Sequence, residues 1–494
     1  MSKLIGLDLS INKFSGQVPE SLWAGCASLA YLILSHNNLQ GKLLPSHKNS
    51  SSLQLLLLDN NFLSGTLDLE IWQFPYIDRL DISNNNFWGM VPNFITNSSS
   101  LDLINLSRNN FTGTLSKELC KLHVSFLHLS HNELSGSIPA CYFNNSLLSL
   151  QLQGNSLAGS IPAFMRPGDL STLDLRDNKL SGVIPNSIVK VKYLSFLLVG
   201  GNQLHGQLPD QLCQLKAIRF LDLSRNNFTG NIPACFYNFS LEEGETIAVA
   251  PLSYSSNFYY YSPLHLTLFF EQNGISATDE TILEIDFMTK NLVLPYNGNI
   301  LSLMSGIDLS SNKLTGKIPQ EIGYLKSLYA LNLSHNHLNG SIPKSFHNLS
   351  AIESIDLSNN NLDGEIPIEL QELNFLGVFN VSYNNLSGRV PNGGQFSTFD
   401  DSCFKENQYL IRHDDNKGNS AHVPQTPVNN DTKEDESVID FTTFIWSFSA
   451  CYVAALVIMA TVLWINPYWQ RLWFYYIETC LYRCLYPYLK DAFW

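Results

Sequence analysis

The chain repeats one pattern of apolar and polar positions at a nearly fixed period. Aligned on a recurring Asn, the pattern is L-x-L-S-x-N-x-L/F-x-G, and residues 307–323 are a complete copy. Consecutive Asn residues lie 23 to 25 positions apart with one exception, and Gly follows each Asn four positions later. A period of this length predicts a solenoid of stacked coils. The Asn residues that define coils 1 to 14 are Asn12, Asn37, Asn61, Asn85, Asn109, Asn132, Asn155, Asn178, Asn202, Asn226, Asn312, Asn336, Asn360 and Asn384.

The fixed positions predict the structure of one coil. Apolar residues five and three positions before the Asn alternate with polar ones, which predicts a short strand with one buried face. Stacking places equivalent Leu side chains in one core, where each contributes about 1.5 to 3 kcal/mol relative to exposure. The Asn amide is expected to bond backbone groups of its own and the next coil. The Gly permits a positive φ, and in eleven coils a Pro three residues later ends the segment.

This period and pattern resemble the leucine-rich repeat, and the L-x-G-x-I-P ending resembles its plant extracellular subclass. The resemblance implies an α/β solenoid shaped as a horseshoe or superhelix. Ten coils are expected over residues 1–235. The chain begins within a repeat strand, with no signal peptide and no cap over the first coil. We interpret it as a fragment of a longer chain, with a truncated product as the alternative.

The one irregular step, 86 residues from Asn226 to Asn312, predicts an island insertion over residues 236–303. Strands are expected at residues 264–270 and at residues 282–294, where Leu283, Ile285 and Phe287 alternate with Glu284, Asp286 and Met288. Four further coils follow over residues 304–395. An island four repeats before the membrane, ending in T-K-N and then M-S-G-I-D-L-S-S-N, resembles the plant leucine-rich repeat receptor-like proteins; these motifs are residues 289–291 and 304–312 here.

The C-terminal part predicts a membrane anchor. Residues 396–440 are a degenerate cap followed by an acidic juxtamembrane linker; members of the family usually close this cap with a cysteine pair, whereas only Cys403 is present here. Residues 441–465 lack charged side chains over 25 positions, enough for a transmembrane helix. Basic residues beyond it predict a cytoplasmic tail at residues 466–494 and hence a single-pass type I protein of the plasma membrane. Ala450 and Ala454 are candidates for helix association.

Cysteine and sequon positions favour an oxidising, secretory environment. Cys120 and Cys141 lie eleven and nine residues after their ladder Asn, and Cys213 and Cys235 repeat these offsets. Because stacked coils bring such positions within disulfide distance, we predict Cys120–Cys141 and Cys213–Cys235; four buried thiols are the alternative. Cys26 and Cys403 have no evident partner. Of thirteen N-x-S/T sequons, those outside the repeat consensus are expected to carry glycans, namely Asn49, Asn97, Asn144, Asn238, Asn348 and Asn430.

The strand positions six, four and two before each ladder Asn are expected to form a concave face that meets a ligand. Some residues there depart from the usual Asp, Asn or Ser, and as a group they are candidates for a binding surface. The alternative is neutral variation on a solvated face. The candidates are Tyr31, Ile33, Arg79, Phe126, His128, Gln151, Gln153, Arg176 and Phe196.

These features predict a receptor rather than an enzyme. A net charge of −14 without a basic run argues against a nucleic-acid partner, and no metal, cofactor or nucleophile-base constellation is recognisable. The family resemblance implies an extracellular peptide, protein or glycan ligand, with an adaptor receptor kinase and a co-receptor kinase in the same bilayer, in immunity or development. The alternatives are a truncated non-signalling fragment, or a polygalacturonase-inhibitor-like protein, a class that lacks the island and the span.

Overall fold

The computed structural model describes residues 3–42, 52–67, 76–91, 101–122, 124–144, 147–164, 168–239, 284–290, 292–297 and 300–411. The chain divides into two compact units, Met1–Gly418 and Asn419–Trp494. All the described residues belong to the first unit.

The main sheet of the solenoid consists of one three-residue strand from each coil. It contains fourteen parallel strands in the described part of the chain. The strand of coil 10 pairs in register with that of coil 11, so that Leu221 aligns with Ile307 and the island leaves the solenoid continuous. The strands are Gly6–Asp8, Tyr31–Ile33, Leu55–Leu57, Arg79–Asp81, Leu103–Asn105, Phe126–His128, Ser149–Gln151, Thr172–Asp174, Phe196–Leu198, Phe220–Asp222, Gly306–Asp308, Ala330–Asn332, Ser354–Asp356 and Val378–Asn380.

A second parallel sheet forms from the segment that follows each ladder Asn. Its side chains alternate between the core and solvent, as at Phe87, which is buried, and Trp88, which is exposed. Fifteen strands belong to it among the described residues. They are Ser15–Gly16, Asn38–Gly41, Phe62–Gly65, Asn86–Met90, Asn110–Thr114, Glu133–Gly136, Ser156–Ser160, Lys179–Gly182, Gln203–Gln207, Asn227–Gly230, Lys313–Lys317, His337–Gly340, Asn361–Glu365, Asn385–Arg389 and Tyr409–Ile411.

Short helices close the coils, often directly after the consensus Pro, whose fixed φ suits the start of a turn. Pro209 and Pro319 precede two of them. The α-helices are Glu20–Gly25 and Ile300–Leu303. The 3₁₀ helices are Lys117–Lys121, Ala140–Asn144, Asn186–Lys190, Asp210–Gln214, Ala234–Asn238, Gln320–Tyr324, Lys344–Asn348, Ile368–Glu372, Gly394–Thr398 and Asp401–Phe404. The core lies between these helices and the two sheets, and is built from the repeated Leu, Ile and Phe positions.

The ladder Asn residues connect neighbouring coils, as Asn202 illustrates. Its Oδ1 accepts a hydrogen bond from the Leu180 amide at 3.0 Å, and its Nδ2 donates to the carbonyl oxygens of Leu175 at 2.9 Å and Val199 at 3.0 Å. These partners belong to its own coil and the preceding one, so the predicted bonds to the next coil are wrong in direction. The residue before the Asn turns the chain with a left-handed backbone, as at Arg225, where φ is 49°.

A short additional rung covers the C-terminal end of the repeats. Asn407 repeats the ladder pattern: its Oδ1 accepts from the Leu386 amide at 2.9 Å, and its Nδ2 donates to the Val381 carbonyl at 2.9 Å. Phe396, Phe399 and Phe404 surround Phe379 with ring centroids 5.0 to 6.3 Å apart. Aromatic packing and one more ladder bond therefore close the core at this end without a disulfide.

Candidate ligand-binding surface

The described part of the island ends in a β-hairpin. Glu284–Thr289 pairs antiparallel with Leu292–Asn297. The predicted single strand over residues 282–294 is wrong, because the chain turns at Lys290, where φ is 52°. The predicted alternation holds within the first strand, since Ile285 and Phe287 are buried while Glu284 and Met288 are exposed. The other predicted strand, residues 264–270, lies outside the described residues.

The hairpin packs its apolar face on the concave face of the main sheet. The Phe287 ring lies 4.6 Å from the Phe220 ring, and Tyr296 lies 5.9 Å from Phe220 on the same side. Phe220 in turn stacks on Phe196 at 5.7 Å. This packing forms a second apolar cluster, separate from the main core, of Phe196, Leu198, Phe220, Ile285, Phe287, Leu301 and Ala330.

Gly306, on the strand of coil 11, is required by this packing. A Cβ atom at this position would lie 2.2 Å from Cε1 of Phe287 and 2.7 Å from its Cζ. Real Cβ contacts are never this short, so any larger residue displaces the ring. The neighbouring coil carries the small Ala330 at the equivalent position, and it is buried in the same cluster. The two small residues make the depression that receives Phe287.

Polar contacts fix the hairpin at both ends. The Arg176 guanidinium donates to the backbone carbonyl oxygen of Asp286. Arg176 is held in place by Asp174, whose Oδ1 accepts from its Nε at 3.0 Å. At the other end, Nζ of Lys290 lies 2.8 Å from Oε2 of Glu353. The hairpin thus extends across coils 8 to 13.

The candidate ligand-face residues differ in their contact with the hairpin, in their burial and in their position along the solenoid. Arg176 bonds the hairpin and Phe196 is buried in the cluster beneath it, so both help to position the island rather than lie open to a ligand. Tyr31, Phe126, His128 and Gln151 are buried, whereas Ile33, Arg79 and Gln153 are partly exposed. Tyr31 and Ile33 lie on coil 2 and Arg79 lies on coil 4, away from the rest.

Three neighbouring coils bring His128, Gln151, Gln153 and Thr172 together beside the hairpin, and we call these four residues the polar cluster. In-register pairing places His128 next to Gln151, and Thr172 next to Ser149 on the strand of Gln151. Among the residues that the structure describes, Nε2 of Gln151, Oε1 of Gln153 and Oγ1 of Thr172 are buried without a hydrogen-bond partner. An unpaired buried polar atom costs about 1 to 3 kcal/mol. These atoms can therefore gain free energy by bonding a ligand.

Burial sets the charge of the titratable groups on this face. It lowers the pKa of His128 to about 4, so the imidazole is neutral and its Nε2 lies 3.1 Å from Oγ of Ser149. Burial also raises the pKa of Asp308 to about 7, reinforced by the carboxylate of Asp222 on the paired strand. Sequence reasoning missed this pair because Asp four positions before the ladder Asn is common in the repeat.

Disulfide bonds join Cys120 to Cys141 and Cys213 to Cys235, the pairs that the repeat offsets predict. Cys26 is buried and Cys403 partly exposed, and neither has a disulfide partner among the described residues. No group of His, Cys, Asp and Glu that could hold a metal ion occurs in the described ranges.

Several predicted sites lie outside the described residues, namely the span at residues 441–465 with Ala450 and Ala454, and the sequons Asn49, Asn97 and Asn430. In the part that the structure describes, no helix is long and apolar enough to cross a bilayer. Asn144 ends a 3₁₀ helix. Asn238 and Asn348 also end 3₁₀ helices, the first exposed and the second partly exposed.

Comparison with known proteins gives the same repeat. The Leucine Rich Repeat family is matched at residues 100–122, 169–191, 217–239, 305–325, 327–349 and 351–373. The solved structure of the Arabidopsis receptor kinase HAESA, in complex with the peptide hormone IDA and the co-receptor SERK1, superposes with a TM-score of 0.62 at 28% identity. The alignment covers 84% of this chain and 63% of the matched chain in that structure.

Curated relatives match at higher identity over shorter stretches. Receptor-like protein 1 of Arabidopsis thaliana is 53% identical over 221 residues, 43% of this chain and 20% of that protein. Cuscuta receptor 1 of Solanum lycopersicum is 56% identical over 206 residues, 41% of this chain and 18% of that protein. The chain spans about a fifth of the length of the curated relatives it matches. In its repeat geometry and in these identities, the chain is similar to the plant leucine-rich repeat receptor-like proteins.

Proposed function

We propose that this chain belongs to a cell-surface receptor that binds an extracellular ligand on the concave face beside the island hairpin. The supporting observation is the polar cluster, where three buried polar atoms lack partners next to a docked insertion. HAESA, which has the same architecture, is in complex with a peptide hormone. Each unpaired atom costs stability, and here three of them lie on two adjacent coils.

The ligand class that fits this surface best is an extended peptide segment. Gln151 and Gln153 lie two positions apart along one coil, so their side chains emerge on the same side about 7 Å apart. One offers an unpaired N–H donor and the other an unpaired carbonyl acceptor. This combination complements the alternating donors and acceptors of an extended main chain. The neutral imidazole of His128 adds a planar polar ring beside them.

Binding is tested with the full chain, purified in detergent from plant membranes and screened against a displayed library of random peptides. Peptides that enrich are then measured against the double variant Gln151→Ala with Gln153→Ala. Two lost hydrogen bonds of about 1 kcal/mol each weaken binding roughly thirtyfold. The matched control is Gln40→Ala with Gln203→Ala, which changes two exposed Gln residues on the second sheet. An absence of enriched peptides, or unchanged affinity in the Gln151 and Gln153 variant, contradicts the proposal.

Signalling is proposed to proceed through partner receptor kinases, in line with the solved HAESA complex, which contains the co-receptor SERK1. The predicted span would associate with an adaptor receptor kinase through its small residues. We expect Ala450→Leu with Ala454→Leu to reduce co-purification of the adaptor kinase at unchanged surface abundance. Addition of an enriched peptide should increase co-purification of SERK1, the co-receptor present in the HAESA complex. Unchanged co-purification in both experiments argues against this route.

A further inference from the structure

The N-x-S/T sequons fall at a small set of positions relative to the ladder Asn. One group lies twelve residues after it and includes Asn238 and Asn348. A second group lies four residues before it, on the main sheet: Asn105, Asn332 and Asn380. A third group lies one or three residues after it, on the second sheet: Asn110, Asn227, Asn339 and Asn385. The last two groups are part of the repeat consensus, so sequence alone cannot distinguish a used site from a by-product.

The Asn side chains of the main-sheet sequons form hydrogen bonds within the fold. Oδ1 of Asn105 accepts from Oγ of Ser107, the sequon hydroxyl, at 2.7 Å, and its Nδ2 donates to Oδ2 of Asp81 at 2.9 Å. Asn380 repeats this arrangement with the residues of its own coil and the preceding one.

Asn332 has both amide hydrogens directed at neighbours. Its Nδ2 lies 3.4 Å from Oδ2 of Asp308 and 3.7 Å from the sulfur of Met288 on the island hairpin. A sugar on this nitrogen would replace one hydrogen and enter the space between the sheet and Met288. A glycan there is incompatible with the docked hairpin.

The second-sheet sequons present the opposite environment. Asn110, Asn339 and Asn385 are exposed and Asn227 is partly exposed. Within the described residues none of these four side-chain amides forms a hydrogen bond. A sugar on any of them extends directly into solvent and breaks no contact of the fold.

An exposed aromatic residue lies on the strand next to Asn110. Asn110 aligns in register with Trp88 on the adjacent strand, and its sequon residue Thr112 aligns with Met90. Both side chains point outward, with exposed fractions of 55% for Trp88 and 69% for Met90. Large apolar side chains exposed side by side call for a covering group, and the apolar face of a sugar ring packs well on an indole.

We propose that Asn110, Asn227, Asn339 and Asn385 carry N-linked glycans in the folded protein at the cell surface, and that Asn105, Asn332 and Asn380 do not. The oligosaccharide comes from a lipid-pyrophosphate carrier. The bond between its anomeric carbon and the pyrophosphate oxygen breaks, a bond to Asn Nδ2 forms, one amide proton is lost and the lipid pyrophosphate leaves. The proposal rests on the secretory route of the proposed function. Its consequence is a second sheet covered by sugar and a concave face that carries none beside the hairpin.

The test uses the full chain expressed in plant cells and recovered from a total cell extract. Treatment with a peptide N-glycosidase in heavy-oxygen water converts each glycosylated Asn into labelled Asp, which peptide mass spectrometry locates. We expect label at the four second-sheet sites and none at the three main-sheet sites. The exposed Asn238 reports independently on passage through the secretory route. The variant Thr112→Ala should lose the label at Asn110 alone, and Trp88→Ala should leave it in place while increasing heterogeneity of the glycan.

The outcomes separate the two proposals. Label at Asn238 without label on the second sheet, or label at any main-sheet Asn, overturns the glycan assignment and leaves the receptor proposal standing. No label anywhere, Asn238 included, overturns both, because the chain then never met the glycosylation machinery.

Discussion

Replacing Phe287 by Ala should release the island hairpin while the solenoid stays folded. The Phe287 side chain is 2% exposed and contacts Phe220 and Gly306. Truncation of a buried Phe costs about 3 to 5 kcal/mol. This loss falls on a two-stranded hairpin, which is marginal at best without a partner surface. Phe287 belongs to the second apolar cluster and contributes nothing to the main core.

The assay is hydrogen exchange followed by mass spectrometry on peptides that cover residues 284–297. A loss of 3 kcal/mol in docking free energy lowers the protection of these amides about a hundredfold. Peptides from the strand at Leu331 should be unchanged, because their hydrogen bonds run between coils. The matched control is Phe375→Ala, since Phe375 is 68% exposed.

A second substitution tests the same contact from the opposite side. Gly306→Leu fills the depression that receives Phe287 and should reproduce the loss of protection. Its control is Gly377→Ala, where an added Cβ finds no atom closer than 3.7 Å. If both Phe287→Ala and Gly306→Leu leave the hairpin as protected as in the parent protein, apolar docking is not what holds the island, and the reasoning fails.

Three further predictions concern the body of the solenoid. Burial raises the pKa of Asp308 from 3.8 to about 7. The folded state therefore binds the proton more tightly than the unfolded state, and the free energy of unfolding falls as pH rises between these values. Asp308→Asn should flatten this slope when denaturation is measured at several pH values. Replacing Cys213 and Cys235 by Ser should lower stability by about 3 kcal/mol in urea, as expected for a loop of this length, and equal midpoints would contradict a structural disulfide. Asn336→Ala leaves buried backbone groups unpaired and should cost roughly 3 kcal/mol or more, whereas Asn12→Ala, at an exposed rung, should have little effect in thermal unfolding.

The repeat could be predicted because each fixed residue has one physical role at a fixed spacing. The alternation of apolar and polar residues predicted the strands, and the recurring Asn predicted the ladder of hydrogen bonds between coils. The direction of the ladder bonds could not be deduced, since an Asn amide has donors and an acceptor that suit either neighbour. The left-handed residue before each Asn, such as Tyr383 with φ of 55°, carries no common side chain that would have revealed it.

Local sequence patterns did not predict where the island docks on the solenoid. Phe196 departs from the polar consensus, and this alone suggested a ligand contact. The complementary apolar residues Ile285 and Phe287, and the small Gly306 and Ala330, were all present in the sequence. An insertion of this length can fold back on many coils, however. Only the packing of large island side chains against small residues of the main sheet, seen in three dimensions, identifies the coils on which it docks.

The final rung was missed for a simpler reason. Asn407 follows Asn384 by 23 residues, the ordinary period. Ile411 stands where every other coil has Gly, and the alignment therefore ended one rung early. The left-handed backbone at Glu406, with φ of 56°, shows that the turn before the ladder Asn forms here as it does at Tyr383.

The position of the hairpin divides the concave face and links its two parts. Coils 8 to 13 are occupied by the hairpin, while the polar cluster on coils 6 to 8 adjoins its Arg176 end. Arg176 and Thr172 lie on the same coil, and Arg176 holds the Asp286 carbonyl. A peptide bonded to the polar cluster would therefore contact groups that also fix the hairpin. Ligand binding and hairpin docking are then linked by a coupling free energy. Release of the hairpin by Phe287→Ala should then weaken peptide binding although no residue of the polar cluster has changed.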